Sequence, residues 1–203
     1  TVIFWYLKSS CHHLFPQIGS RSNFSKQAAN LWKVKQDIQQ GLVKMMGAID
    51  DPIHLIDGVS IPVCQYARAS RCQKFKGETT FGYCAAKDQK YYGFKGHVLT
   101  GFNGCIANFG MAGSTIDERD ILWEMSDGIS GLTIGDKGYL SKDLKEKLWA
   151  ERNIDLQTTL RSNMKDDRPK TVVNMFNRTR RLVETVIRQL TERFQLNVVR
   201  AKD

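Results

Sequence analysis

The sequence predicts an α/β fold, a mixed β-sheet with helices packed on it, preceded by a small helical segment. Three observations predict it. Residues 53–63, "IHLIDGVSIPV", alternate as a half-buried strand does. Residues 90–113, "KYYGFKGHVLTGFNGCIANFGMAG", read as a hairpin turning between Gly101 and Gly104. From residue 117 onward helical and strand-like runs take turns, the pattern of helices laid on a sheet.

Residues 1–48 form the helical segment. "TVIFWYL" reads as a helix entered midway, and "LFPQIGSRSNFSK" as a Pro/Gly/Ser loop with two basic residues. "SKQAANLWKVKQDIQQGLVKMM" sets Ala28, Leu31, Trp32, Ile38, Leu42 and Met45 near helical spacing, with Ser25 as N-cap. Such a segment suits a small DNA-binding unit or a helical lid. From Asp50 the texture changes, and residues 49–203 are expected to form the main domain. After the first strand and the hairpin, "DERDILWEM" is a helix whose leading acids suit the positive end of its dipole. "GLTIGD" is a short buried strand, "SKDLKEKLWAERN" a helix capped by Ser141, and "IDLQTTL" another strand. The polar loop "RSNMKDDRPK" leads to a long helix from about Val172 to Phe194. The chain starts without a methionine and stops just after the apolar, strand-like "NVVRAKD", as a fragment trimmed at both ends would.

A chain of 203 residues, 41% hydrophobic and 25% charged, can bury one good core and a small second unit. Lys and Arg outnumber Asp and Glu by 30 to 21, a net +9 that favours polyanionic partners, nucleic acid ahead of membranes. The apolar run at the start is far too short to span a bilayer. The cysteines, Cys11, Cys64, Cys72, Cys84 and Cys105, are odd in number and form no C-x-x-C pair. They argue against a disulfide framework or a zinc ribbon and fit a reducing cytoplasm. His12 and His13 are adjacent, lack a partner at ligand spacing and read as structural.

Three acids stand out of place. Asp57 takes an apolar-face position in the first strand, with Ile53, Leu55, Val59, Ile61 and Val63. Asp136 continues the face of Leu132 and Ile134. An unpaired buried carboxylate costs several kcal/mol or protonates, so acids in this register imply an arginine, a metal, or each other across a metal. Each also precedes a glycine within two residues and alone could be a turn acid. In the last helix Val183, Val186, Ile187, Leu190 and Phe194 form the buried stripe. Glu184 lies about 100° round from Val183, with Arg180 and Arg188 four residues to either side, which alone could be a surface ladder. Together, two strand carboxylates and one on a helix over the sheet can hold hard divalent cations, and a pair of such ions drives phosphoryl displacement.

"LIDGVSIPVC", "FGYCAAKDQKYYGFKGHVL", "IGDKGYLS", "LRSNM" and "RRLVETVIRQLTERF" resemble, in order, the blocks of bacterial insertion-sequence transposases of the DDE type. The resemblance runs from about Ile53 to Lys202, and "LFPQIGSRSNFSKQAANLW" looks like the helical region before that domain. It implies a ribonuclease H-like catalytic domain with a mixed five-stranded sheet and flanking helices. It implies Asp57, Asp136 and Glu184 as catalytic residues and as ligands of Mg²⁺ or Mn²⁺, with Arg180 or Arg181 as their basic partner. Many such transposases carry a Tyr three residues before that Arg; here the position holds Asn177. Lys95 and His97 of "YGFKGH" match a further block and would serve as DNA contacts or as structural supports. Lys137 and Arg188 complete the expected DNA-binding set.

The implied activity is metal-dependent cleavage at transposon ends, followed by attack of the freed 3′-hydroxyl on target DNA. The partners are transposon-end and target DNA and further copies of the chain, with no membrane; the location is the bacterial cytoplasm, at the nucleoid. Three other functions share some of these features: another ribonuclease H-like nuclease, a truncated binding-only remnant of a transposase, and a basic RNA-binding module whose "QKYYGF" aromatics stack bases.

Overall fold

The computed structural model describes residues 2–199. Thr1 and residues 200–203, the end of the strand-like "NVVRAKD" run, lie outside these; residues 197–199 carry no strand. The chain divides into two compact units, Thr1–Met45 and Met46–Asp203. Among the described residues no helix is long and apolar enough to cross a membrane.

The first unit holds helices α1 (Val2–Ser10), α2 (Arg21–Asn30) and α3 (Trp32–Met45). The cap expected at Ser25 is corrected to Ser20, whose hydroxyl oxygen accepts the Asn23 N–H at 3.2 Å, and Ser25 sits inside α2. The helix starts five residues earlier because Gly19, at φ +70°, ends the preceding loop in a conformation glycine adopts freely. The apolar positions Leu31, Trp32, Ile38, Leu42 and Met45 remain exposed.

The second unit is built on one sheet of strands β1 (Ile53–Cys64), β2 (Thr80–Cys84), β3 (Gln89–Gly101), β4 (Ile106–Gly113), β5 (Gly131–Gly135) and β6 (Ile154–Thr158). Its helices are α4 (Glu118–Met125), α5 (Lys142–Arg152) and α6 (Lys170–Glu192). β1 is central, antiparallel to β3 and parallel to β5, which is parallel to β6. β2 and β4 share the outer edge of β3, β2 along Gln89–Gly93 and β4 along Phe94–Thr100. Six strands therefore occupy five positions. The additional strand is β2, five residues long and too short to declare a period in the sequence. The sheet is otherwise the mixed one expected.

Each face of the sheet has its own core. On one, Leu55, Val59, Val98 and Ile134 meet Phe176 and Val183 of α6. On the other, Ile56, Leu99 and Tyr139 meet Leu122 and Met125 of α4 and Leu148 of α5. Ser141 caps α5 as expected, accepting the Leu144 N–H at 3.2 Å. Val186, Ile187 and Leu190 extend the α6 stripe, but Phe194 does not; it is 67% exposed. The helix stops at Glu192, and Leu196 joins the cluster in its place while its N–H donates to the Leu190 carbonyl at 2.9 Å.

Leu148 and Trp149 are neighbours on α5 with opposite fates, 0% and 61% exposed. Leu148→Ala is expected to lower unfolding stability by about 2–5 kcal/mol through the cavity it leaves. Trp149→Ala is expected to shift it by less than about 1 kcal/mol. Urea midpoints at neutral pH check the contrast.

Candidate functional site

Strand register brings the first two acids together. Leu55 pairs with Ile134 across the parallel β1–β5 ladder, and Asp57 and Asp136 each stand two residues further on. Adjacent strands lie about 4.8 Å apart and side chains repeat every second residue, so both carboxylates leave the same face at the same level. Each is oriented by the backbone that follows it. Gly58 N–H donates to Asp57 Oδ1 at 2.8 Å, and Lys137 N–H to Asp136 Oδ1 at 2.6 Å. The Thr159 hydroxyl adds a bond to Asp136 Oδ1 at 3.1 Å.

The third acid arrives on α6, together with a cation. Phe176, Arg180, Val183 and Ile187 follow helical spacing, so Arg180 belongs to the stripe that faces the sheet. Its side chain is only 14% exposed. The guanidinium stands 4.0 Å from Asp57 Oδ2, 3.7 Å from Asp136 Oδ1 and 3.9 Å from Glu184 Oε1. These separations exceed hydrogen-bond length, and Arg180 Nε is buried without a partner. The arginine thus acts as a diffuse counter-charge with donors to spare. All three sequence-predicted acids meet round it.

Burial raises the Asp57 carboxyl to about 6, against the lowering by Gly58 N–H and Arg180, and the charges of Asp136 and Glu184 push the same way as burial. An acid so raised by burial and by like charges gains from any additional cation. Carboxylate oxygens are the donors Mg²⁺ and Mn²⁺ prefer, and two or three suffice because such ions keep several waters. The donor set therefore fits the expected ion. Among the described residues no three His, Cys, Asp or Glu side chains are gathered closely enough to enclose one, and Arg180 stands within about 4 Å of all three acids.

The acids line an open cleft of about 850 Å³ whose wall also includes Lys95, Lys137, Arg161, Ser162 and Asn163. Lys95 donates to Glu118 Oε1, and its chain lies along the bare backbone of Gly58, where a Cβ would come within 2.9 Å of Lys95 Cε. Gly138 gives the same room to the Glu118 carboxylate. Lys137 is exposed on the rim. Arg181 and Arg188 lie outside this lining; Arg181 is exposed, and Arg188 pairs with Glu192 at 2.9 Å instead of with Glu184. Of the two candidate basic partners, Arg180 is the one at the acids, because the position after it points about 100° away round the helix.

His97 is corrected as a DNA contact. It is 1% exposed on the opposite face of the sheet, where its Nδ1 and the Tyr139 hydroxyl share a 2.8 Å hydrogen bond. This bond ties β3 to the turn that carries Asp136. Sequence reading missed Glu118, Arg161, Ser162 and Asn163. "LRSNM" is a usable signal for the last three, while Glu118 has the pattern of an ordinary first-turn acid.

A family model described as a transposase DDE domain matches residues 47–203. Among solved structures the chain is similar to piggyBac transposase in a synaptic complex with hairpin DNA. The identity is 17% and the TM-score 0.37, over 61% of this chain and 26% of that one. The chain thus spans about a quarter of that transposase's length. No functionally curated protein matches the sequence.

Two buried groups predict opposing pH dependences. Burial, helped by the Lys95 charge, lowers His97 from 6.5 to about 4, so the unfolded chain binds more protons between those values. His97 therefore contributes stability that is full above pH 6.5 and lost as pH falls to 4, about 3 kcal/mol in all. Asp57, raised from 3.8 to about 6, binds more protons when folded and removes a similar amount as pH rises through that window. In chelator-containing buffer, Asp57→Asn is expected to steepen the rise of stability between pH 4 and pH 6. His97→Gln is expected to flatten or invert it. Urea midpoints across the range check both; parallel curves for all three proteins contradict the assignment.

Proposed function

The chain belongs to the transposase DDE domain family, and we propose that it is the DNA transposase of a bacterial insertion sequence. It cleaves transposon ends and joins the freed 3′-hydroxyls to target DNA. The observation that carries this reading is the convergence of Asp57, Asp136 and Glu184 on one open cleft edged by cations. Carboxylates alone would repel a phosphodiester, whereas carboxylates beside arginine and lysine suit a phosphate approaching with its metal.

Asp57, Asp136 and Glu184 would hold Mg²⁺ or Mn²⁺. Bound there, the ion supplies Lewis-acid activation of the attacking oxygen and stabilisation of the leaving one. The chain's own groups do the rest. The Gly58 and Lys137 amides hold the two aspartates in one orientation before DNA arrives. Arg180, with its spare donors, exchanges its loose carboxylate contacts for charge-assisted bonds to the phosphate under attack. Lys137 and Arg161 contact flanking phosphates from the rim, and Lys95, paired with Glu118, marks the cleft's edge. In cleavage, water replaces the bridging 3′ oxygen at phosphorus, leaving a 3′-hydroxyl and a 5′-phosphate. In joining, that hydroxyl attacks a target phosphodiester and expels its 3′ oxygen, so bond number is unchanged. No Ser or Tyr nucleophile is required. The enzyme would act in the bacterial cytoplasm at the nucleoid, with a further copy on the paired transposon end.

The guanidinium among the acids favours one other reading, a DNA-binding remnant that has lost catalysis because Arg180 holds the ion's place. A supercoiled plasmid bearing the element's ends, incubated with Mg²⁺, separates the two. Nicking by the wild type, reduced about 10³-fold or more in Asp136→Ala and Glu184→Ala with DNA binding retained, is the expected result. Equal binding and no cutting by any form supports the remnant. Pre-cut ends offered with target DNA complete the test, since a hydrolytic nuclease of the same fold would cut without joining.

A further inference from the structure

Away from the acids, a second group of cations faces no counter-charge. Between β1 and β2 the chain makes a short 3₁₀-helix, Tyr66–Arg71, and a loop to Thr79. Residues three apart eclipse one another in a 3₁₀-helix, so Arg68 and Arg71 point the same way. With Lys74 they line a cleft of about 630 Å³ whose wall also holds Val63 and Gln65 and carries no acid. Among the described residues none of the three cations has an ion-pair partner. The contrast with Lys95 and Arg180 is direct, since each of those faces a carboxylate.

We propose that the Arg68–Arg71–Lys74 cleft is a second site for duplex-DNA phosphates, about seven base pairs from the phosphate being cut; the choice of DNA as its ligand rests on the transposase reading above. The spacing follows from β1 itself. Asp57 lies mid-strand, and the cleft opens at the strand's end, beside Val63 and Cys64. Seven residues of strand span about 23 Å, and at 3.4 Å per base pair that is about seven base pairs. Asp57, Val59, Ile61 and Val63 alternate along one face of β1, so the same side of the sheet leads from the acids to the cleft. The cations are mounted on anchored backbone. Ala69 is buried, the Cys72 N–H donates to the Ala69 carbonyl at 3.2 Å, and the Phe75 ring packs edge-on against Phe94 at 5.5 Å. Arginines fixed in one direction bind phosphate with less loss of side-chain freedom than lysines scattered on a mobile loop.

Salt dependence of DNA binding tests the cleft without requiring catalysis. Fluorescence anisotropy of a labelled duplex of about 30 base pairs, titrated with the full chain without divalent metal over a series of NaCl concentrations, gives the slope of log K against log salt. Arg68→Gln with Arg71→Gln is expected to make that slope shallower by about 1.8, and Lys74→Gln alone by about 0.9. Lys142→Gln with Lys165→Gln removes the same charge as the double arginine variant from two exposed ion pairs elsewhere and is expected to leave the slope unchanged. Arg68→Lys with Arg71→Lys is expected to keep it. Should the double glutamine variant not fold, as judged by circular dichroism, Lys74→Gln decides. An unchanged slope, or equal changes in the cleft and control variants, overturns the proposal even if the protein cuts DNA. A slope change with no cutting by the wild type overturns the transposase activity and leaves the cleft as a DNA site. On a duplex that is cut, phosphate-ethylation interference about seven base pairs to one side of the break, lost in the double glutamine variant, is the positional result expected; interference that persists in that variant overturns the position.

Discussion

Three carboxylates held round one guanidinium set the terms for the rest of the molecule. The acids are forced together by strand register and helix packing, and burial, with a smaller push from the neighbouring carboxylates, raises Asp57 well above its usual range. Arg180 offsets part of that repulsion without satisfying it, since it stands near 4 Å from each oxygen and makes no direct bond to any. Every charge in the arrangement therefore depends on the others, and removing any one changes the balance for the rest.

The two faces of the sheet divide the labour. One carries Asp57, Asp136 and the α6 stripe. The other braces the segments that position them, through the His97–Tyr139 hydrogen bond and the Lys95–Glu118 pair. β5 is short, ending at Gly135, so the turn after Asp136 is held from below by Tyr139, which is fully buried. Supports of this kind fix a rotamer and a backbone direction, which strand pairing alone leaves loose at a strand's last residue.

Much of this was legible in the sequence because the relevant signals are periodic. Asp57 and Asp136 announced themselves as acids in apolar registers, and alternation fixed β1 almost to its ends. What resisted was whatever depends on a partner distant in the chain. β2 is a strand only because β3 offers an edge to pair with. Lys95 and His97 share a parity along β3, yet one reaches the cleft rim and the other is sealed against Tyr139, a difference made by α4 and by the turn after β5. Spacing sets Arg188 beside Glu184, but Glu192 lies at the same spacing on the other side and takes it. Arg180 carries its own signal, since a charge set between Phe176 and Val183 in an apolar stripe is as conspicuous as an acid in a strand.

One feature of α6 also bears on how such a protein is made. The helix carries both the third carboxylate and the guanidinium, and it is the last of the described elements to leave the ribosome. Until it docks, the growing sheet holds Asp57 and Asp136 side by side with neither the neutralising charge nor the third carboxylate. Synthesis from the N-terminus proceeds at about 5–20 residues per second, so this half-built state lasts for seconds on every nascent chain. A polypeptide abandoned before residue 170 would lack the whole helix. The third carboxylate and its guanidinium therefore reach the cleft only in chains translated through α6, a consequence of the order in which the residues are strung.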